Sequence, residues 1–206
     1  MDARAWDERY AASELVWAAG PNQFVEQECT GLTPGEALDL ACGEGRNAIW
    51  LARQGWRVVA SDFSQVALDK GRALAGDLPV TWRCEDATTW VPAAEGATFD
   101  LAVLAYLQLP PAERAAAVRH AYGALATGGT LLVVAHDSSN LAEGTGGPQD
   151  PTVLYTAGDV LADLGDASYD VVRAERVARE VTGDDGHGGE DTRTAWDCLV
   201  RVVRRG

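Results

Sequence analysis

The chain has 206 residues, 47% of them hydrophobic and seven of them tryptophan, which suits one α/β domain with a well-buried core and is short for two. Acidic residues outnumber basic ones by 31 to 17, and the resulting formal charge of −14 disfavours nucleic acid as a partner, the obvious basic cluster being Arg201 to Arg205 at the very end. No apolar run approaches the roughly 20 residues of a membrane span, and Met1 to Asp7 has no apolar signal core, so a soluble, cytoplasmic protein without membrane partners is expected.

Residues 1–34 read as a helical lid segment: two short helical pieces separated by Ala19-Gly20-Pro21-Asn22, with Trp6, Tyr10 and Trp17 as large side chains to bury. Residues 35–206 read as the core. Ala37 to Leu40 is an opening strand, followed by a helix from Asn47 to Gln54 that Gly55 stops. Trp56 to Ser61 is a second strand ending at Asp62, and Ser64 caps a helix from Gln65 to Ala75. Val80 to Arg83 and the apolar run Phe99 to Leu104 are the third and fourth strands. Pro110-Pro111 starts a long alanine-rich helix to about Ala126, which Gly128-Gly129 ends before a fifth strand, Thr130 to Ala135. Then the rhythm changes. His136 to Leu154 is a long polar loop, Thr156 to Leu164 a capped helix, and Tyr169 to Val181 with Thr194 to Val203 a terminal antiparallel hairpin around the glycine- and acid-rich 183–189 joint. The alternation of strands and helices predicts a doubly wound, mainly parallel α/β sheet.

The most informative stretch is Glu36 to Asn47, a short apolar run that carries Asp39 and then breaks into Gly43 and Gly45. It reads as strand, tight loop and helix start, with free backbone N–H groups facing a cavity. Gly43-x-Gly45-x-x-Ala48, with Asp62 some way on to hold a ribose, also satisfies the dinucleotide fingerprint. Asp39 argues against that reading, because a carboxylate inside the strand repels a pyrophosphate and attracts an ammonium. The four cysteines, Cys29, Cys42, Cys84 and Cys198, are scattered without C-x-x-C spacing, so neither a metal site nor a disulfide framework is expected, and Cys42 reads as a small residue in a crowded loop.

On these residues the chain resembles the class I S-adenosylmethionine-dependent methyltransferases, whose glycine motif of an acid, three residues and G-x-G is here Asp39, Leu40-Ala41-Cys42, Gly43-Glu44-Gly45. Trp6 to Tyr10, with Trp17 and Gly20-Pro21, is similar to the lead-in of small-molecule methyltransferases of the tellurite-resistance and thiopurine type. The resemblance implies a Rossmann-like seven-stranded sheet with an antiparallel C-terminal hairpin and helices on both faces. It implies S-adenosylmethionine as cofactor, S-adenosylhomocysteine as product, a small-molecule methyl acceptor and a monomer or homodimer. Its cofactor contacts would come from Trp6, Arg9, Tyr10 and Trp17; from the loop residues Asp39, Ala41, Cys42, Gly43, Gly45, Arg46 and Asn47; from Asp62, Phe63, Ser64 and Val66; from Asp86, Ala87 and Thr88; and from Ala105, Tyr106 and Leu107.

Within that set, Asp62 suits the two hydroxyls of a ribose or, alternatively, caps the helix that follows, and Asp86 suits an adenine amine or a local turn. Ala105 to Gln108 lacks the [N/D]-P-P-[Y/F] tetrad of enzymes that methylate amide or base amino groups, so Tyr106 and Leu107 read as an apolar wall near the sulfonium or as core, with Tyr106 offering its π face. His136, at the end of the fifth strand, is the candidate general base or acceptor-binding group, the alternative being a histidine bonded to the backbone. The loop Asn140 to Tyr155 is long enough for a lid or pocket wall. Two other readings of the whole chain remain: a non-catalytic cofactor-binding sensor, and a nicotinamide oxidoreductase, disfavoured because no Tyr-x-x-x-Lys pair is present.

Overall fold

A computed structural model describes residues 3–13, 15–16, 20–184 and 190–206. Trp17 lies outside them. Among the described residues seven strands form one sheet: β1 (Glu36–Leu40), β2 (Arg57–Asp62), β3 (Val80–Cys84), β4 (Phe99–Ala105), β5 (Leu125–His136), β6 (Tyr169–Asp184) and β7 (Glu190–Arg204), in the order β3-β2-β1-β4-β5-β7-β6. Strands β1 to β5 run parallel, while β7 inserts antiparallel between β5 and β6. This is the expected fold. The helices are α1 (Ala3–Ala11), α2 (Gln23–Cys29), α3 (Arg46–Arg53), α4 (Gln65–Ala75), α5 (Pro111–Gly123), α6 (Asn140–Glu143) and α7 (Ala157–Asp163).

The central strands are apolar on both faces because both are covered, and their period-2 alternation decides which residue meets which layer. Leu38 and Leu40 point with Phe99, Leu104, Leu131 and Val133 into the layer that holds α5 and α7. Ala37, Val58, Leu101, Val103 and Leu132 point the other way, onto α2, α3 and α4 through Val25, Leu51 and Leu68. Leu38 and Leu40 are fully buried, each burial stabilising the fold by about 1.5–3 kcal/mol. The same alternation sends Asp39 to the α3 side, where its Oδ2 accepts a hydrogen bond from Ala48 N–H at 2.9 Å.

Three local differences from the sequence expectations have clear causes. The alanine-rich helix stops at Gly123 rather than near Ala126, because β5 already begins at Leu125, paired with Phe99. Gly128 and Gly129 serve a bulge inside that strand instead of ending the helix: the register jumps between the Phe99 and Leu101 pairs, Gly128 has φ +84°, and a Cβ on Gly129 would lie 2.9 Å from the carbonyl oxygens of Ala126 and Phe99. The hairpin strands are longer than expected, pairing out to Asp184 and Glu190, with a second bulge between Val171 and Arg173.

Strand order reverses between β1 and β4, and in open α/β sheets ligands bind in the crevice outside the carboxyl ends of two such strands. The first residue after each is in the left-handed region although neither is glycine: Ala41 at φ +59° and Tyr106 at φ +60°. Such conformations cost of order 1–3 kcal/mol and cluster at functional sites.

Candidate active site at the sheet switch point

The loop after β1 is shaped by backbone conformation. Gly43 and Gly45 both have positive φ, and a Cβ on Gly45 would fall 2.3 Å from the Trp82 ring, so this turn requires glycine for two independent reasons. Trp82 reaches across from β3 and presses equally on Gly71 of α4, wedging loop, strand and helix together. Asp39 sits behind this loop, 1% exposed. Burial pushes its carboxyl up to about 7, against the pull of the Ala48 N–H and the nearby Arg46. Arg46, the first residue of α3, is only partly exposed, and burial lowers its pKa while Asp39 nearby opposes the shift. Asn47 is buried and its Oδ1 accepts from Asn22 N–H at 2.9 Å, which fixes the start of α2 to the start of α3. The Cys42 thiol is buried, and burial together with Asp39 and Asp62 pushes its pKa well up, so it is held as an inert thiol.

At the end of β2 both oxygens of Asp62 are already engaged: Oδ2 accepts from Gly43 N–H at 2.8 Å and Oδ1 from Ser64 N–H at 2.9 Å. Its carboxyl is raised by burial, with those two N–H groups opposing. Each oxygen retains a lone pair. Ser64 caps α4 by accepting from Ala67 N–H, and its hydroxyl donates to Asp7 of α1 at 2.5 Å. Phe63 and Val66 are half-buried beside it. After β3, Asp86 Oδ1 accepts from the Thr88 N–H and hydroxyl, a local turn that leaves Oδ2 without a bond among the described residues, and the Ala87 carbonyl oxygen lies 3.1 Å from Nδ1 of His120 on α5.

The N-terminal segment is lashed to this side of the cleft. Besides Asp7, Lys70 of α4 donates to the carbonyls of Tyr10 and Ser13, and buried Glu44 accepts from Val16 N–H and lies 3.3 Å from Lys70. Tyr10 is buried and Trp6 stacks on it at 5.5 Å, whereas Arg9 lies exposed with its guanidinium over the Trp6 ring.

On the other side, Ala105 ends β4 and Tyr106 follows it, and the polar groups converge on Asp197 of β7. Its carboxylate is 0% exposed; Oδ2 accepts from Tyr106 O–H and from Arg179 Nε, each at 2.7 Å, and Oδ1 lies 3.3 Å from His136 Nδ1. Burial alone would raise its pKa, but His136, Arg179 and Tyr106 together hold it below the usual carboxylate range. Asn22 Nδ2 donates to the Tyr106 hydroxyl, whose pKa burial and the Asp197 charge push up. The Tyr106 and His136 rings pack at 4.9 Å. Leu107 accepts through its carbonyl from Tyr155 O–H, and Gln108 bridges Val153 O and His136 N–H, so the 140–155 segment is a pinned wall here. Asp197, Arg179 and Asn22 carry no local motif, and Asp7 and Glu44 lie within motifs without standing out in them; an acid inside the otherwise apolar run Ala195 to Val200 is the one signal that could have drawn attention to Asp197.

A family profile described as a methyltransferase domain matches residues 37–129, which hold the glycine loop, Asp62, Asp86 and Tyr106. That match, over a little under half of the chain, supports a class I S-adenosylmethionine-dependent methyltransferase. It is 29% identical over 171 residues to a thiopurine S-methyltransferase of Bordetella petrii, covering 68% of this chain and 74% of that protein. Among solved structures it is similar to the N-methyltransferase NodS of Bradyrhizobium japonicum, in complex with S-adenosyl-L-homocysteine, with a TM-score of 0.71, 18% identity and 100% of both chains covered. TehB of Haemophilus influenzae aligns with a TM-score of 0.68 and 18% identity over 90% of this chain and 63% of that chain. No helix among the described residues is long and apolar enough to cross a membrane.

Proposed function

We propose that this methyltransferase acts on a small-molecule acceptor, a thiol, chalcogen, hydroxyl or amine, by in-line displacement within the crevice outside β1 and β4. The observation that carries the reading is the switch-point loop, in which Gly43 and Gly45 hold left-handed backbone conformations and the buried Asp39 and Asp62 flank them. Those residues fit the cofactor. Asp39 answers its ammonium and Arg46 its carboxylate, an arrangement supported by their burial side by side. The unused lone pairs of Asp62 accept the ribose hydroxyls, with Phe63 and Val66 beside the adenine and Asp86 Oδ2 and the Ala87–Thr88 backbone at its edge. Trp6 and Tyr10 cover this end.

S-adenosylmethionine, when bound, supplies a methyl group on a positively charged sulfur. The protein's task is then alignment and exclusion of water rather than covalent chemistry. Tyr106 and Leu107 wall the reacting centre, and the 140–155 segment closes the acceptor side. The net charge of −14 favours a small acceptor over a polyanion. Calorimetry with S-adenosylmethionine and with a nicotinamide dinucleotide, followed by a labelled-methyl screen of thiols, amines, phenols and chalcogen oxyanions, tests the proposal. Binding of the first cofactor and transfer to a small acceptor are expected; binding without transfer to any of them would overturn it.

A further inference from the structure

Deepening that reading, on which it rests, we propose that His136 is the general base of the reaction, that Asp197 is its positioning residue, and that the acceptor is a hydroxyl compound of phenol-like acidity. The carrying observation is a pair of buried atoms. His136 Nδ1 and Asp197 Oδ1 are both sealed from solvent, neither makes a well-aligned hydrogen bond among the described residues, and they lie 3.3 Å apart. A proton on Nδ1 lies within reach of that carboxylate oxygen, and it is the arrangement that leaves neither buried atom without a partner. That proton fixes the tautomer. Nε2 is left as the lone-pair nitrogen of a side chain that keeps 14% of its surface exposed.

The ring is also held in place. His136 N–H donates to Gln108 Oε1, the Tyr106 ring packs on one side, and Gly147 approaches so closely that a Cβ there would lie 2.9 Å from the imidazole Cγ. The charged and titratable groups around it are Tyr106 from the end of β4, Asp197 from β7, Arg179 from β6 and Arg46 from α3, while the adjacent Asp137 is turned onto the Ser139 N–H and hydroxyl. A purely structural histidine needs no such partner, since a fully buried carboxylate is costly and an apolar pair would fill the space at lower cost. A base of this kind gains little for a thiolate or reduced chalcogen, which already carries its lone pair. A phenol, with a pKa of about 10 like tyrosine, is mostly protonated at neutral pH and within reach of imidazole during attack. In the step, Nε2 takes the acceptor's O–H proton while that oxygen's electron pair forms a bond to the methyl carbon. The carbon–sulfur bond breaks, its electrons staying on sulfur as a neutral thioether, and Asp197 stabilises the imidazolium until solvent removes the proton.

The test uses the full chain with a phenol panel and a thiol panel, comparing wild type, His136→Gln and Asp197→Asn. Wild-type kcat/KM on phenols should rise about tenfold per pH unit below the imidazole pKa and then level. His136→Gln should lose this limb and on the order of 10²–10⁴-fold in phenol kcat/KM, a larger loss than on the thiol panel. Nitrogen NMR of the imidazoles, without any cofactor, should show His136 with its proton on Nδ1, a signature that Asp197→Asn removes. If Asp197→Asn fails to fold, His136→Gln and the wild-type tautomer still decide. Unaltered phenol turnover in His136→Gln, a proton on Nε2, or transfer to thiols but never to phenols would each overturn this inference alone. Failure to bind S-adenosylmethionine would overturn the underlying reading as well.

Discussion

At the ends of β1 and β2 the contacts that shape the cleft are short in sequence: Asp39 to Ala48 spans nine residues, Asp62 to Ser64 two and Asp62 to Gly43 nineteen. At the ends of β4 and β5 they are long, 84 residues from Asn22 to Tyr106 and 91 from Tyr106 to Asp197. The glycine loop itself is built from backbone N–H groups and local acids, with the N-terminal segment tied across it from farther off, whereas the acceptor side is a side-chain network completed when the hairpin docks beside β5. One half can therefore be constant while the other is remodelled, and substitutions should separate the two.

The largest separation is expected from Asp39→Ala, which removes the carboxylate proposed for the cofactor ammonium. Breaking a buried pair on one side costs roughly 3–5 kcal/mol, so affinity for S-adenosylmethionine should fall by on the order of 10²–10³-fold in calorimetry. Next comes Gly45→Ala, whose Cβ meets the Trp82 ring at 2.3 Å and whose φ of +75° disfavours any side chain. A loss of about 1–3 kcal/mol in denaturant unfolding is expected, and Gly71→Ala, which strikes the same ring, should behave similarly without touching the loop. Gly147→Ala addresses the other half. By crowding His136 from a φ of +77° it should cost about 1 kcal/mol and lower turnover while leaving cofactor affinity intact, and an equal loss of both would merge the two halves into one unit.

A last test is a pH dependence. Asp39 has an ordinary pKa of 3.8 and is pushed up to about 7 in the folded protein, so between those values the folded state holds a proton that the unfolded chain has released. Stability therefore falls as pH rises from about 4 to about 7. Asp39→Asn should remove that slope, raising the melting temperature at pH 8 by up to about ten degrees and hardly at all at pH 4. Because an ammonium favours the ionised carboxylate, cofactor binding below pH 7 should release a proton, which calorimetry in buffers of different ionisation enthalpy reads directly.

The same contrast explains what was legible in the sequence. Strand, glycine loop, helix and the acids at Asp39, Asp62 and Asp86 are local patterns, and the turn chemistry that makes Gly43 and Gly45 necessary is written in their immediate neighbours. Gly128-Gly129 was misleading because a glycine pair after an alanine-rich helix has the composition of a stop, while its use as a bulge depends on Phe99 across the sheet. Asp197 was invisible as a hub because nothing within its own strand announces Tyr106, His136 and Arg179, which arrive from three other strands or strand ends. His136 and Tyr106 could be named as candidates from their positions after β5 and β4; the carboxylate that links them could not.

The bulge between Val171 and Arg173 has a consequence for the molecule in company. β6 is an outer strand of 16 residues, long enough to template pairing with another chain, and Val171 and Val172 are about half exposed on it. The extra residue breaks the flat ladder there, and the charges at Asp170, Arg173, Glu175 and Arg176 flank the two valines, with Arg173 and Arg205 tied down by Glu28 and Asp170. A crowded solution thus meets an edge that is twisted and guarded by charge where it is greasiest, and the hairpin that completes the acceptor site is kept from polymerising through it.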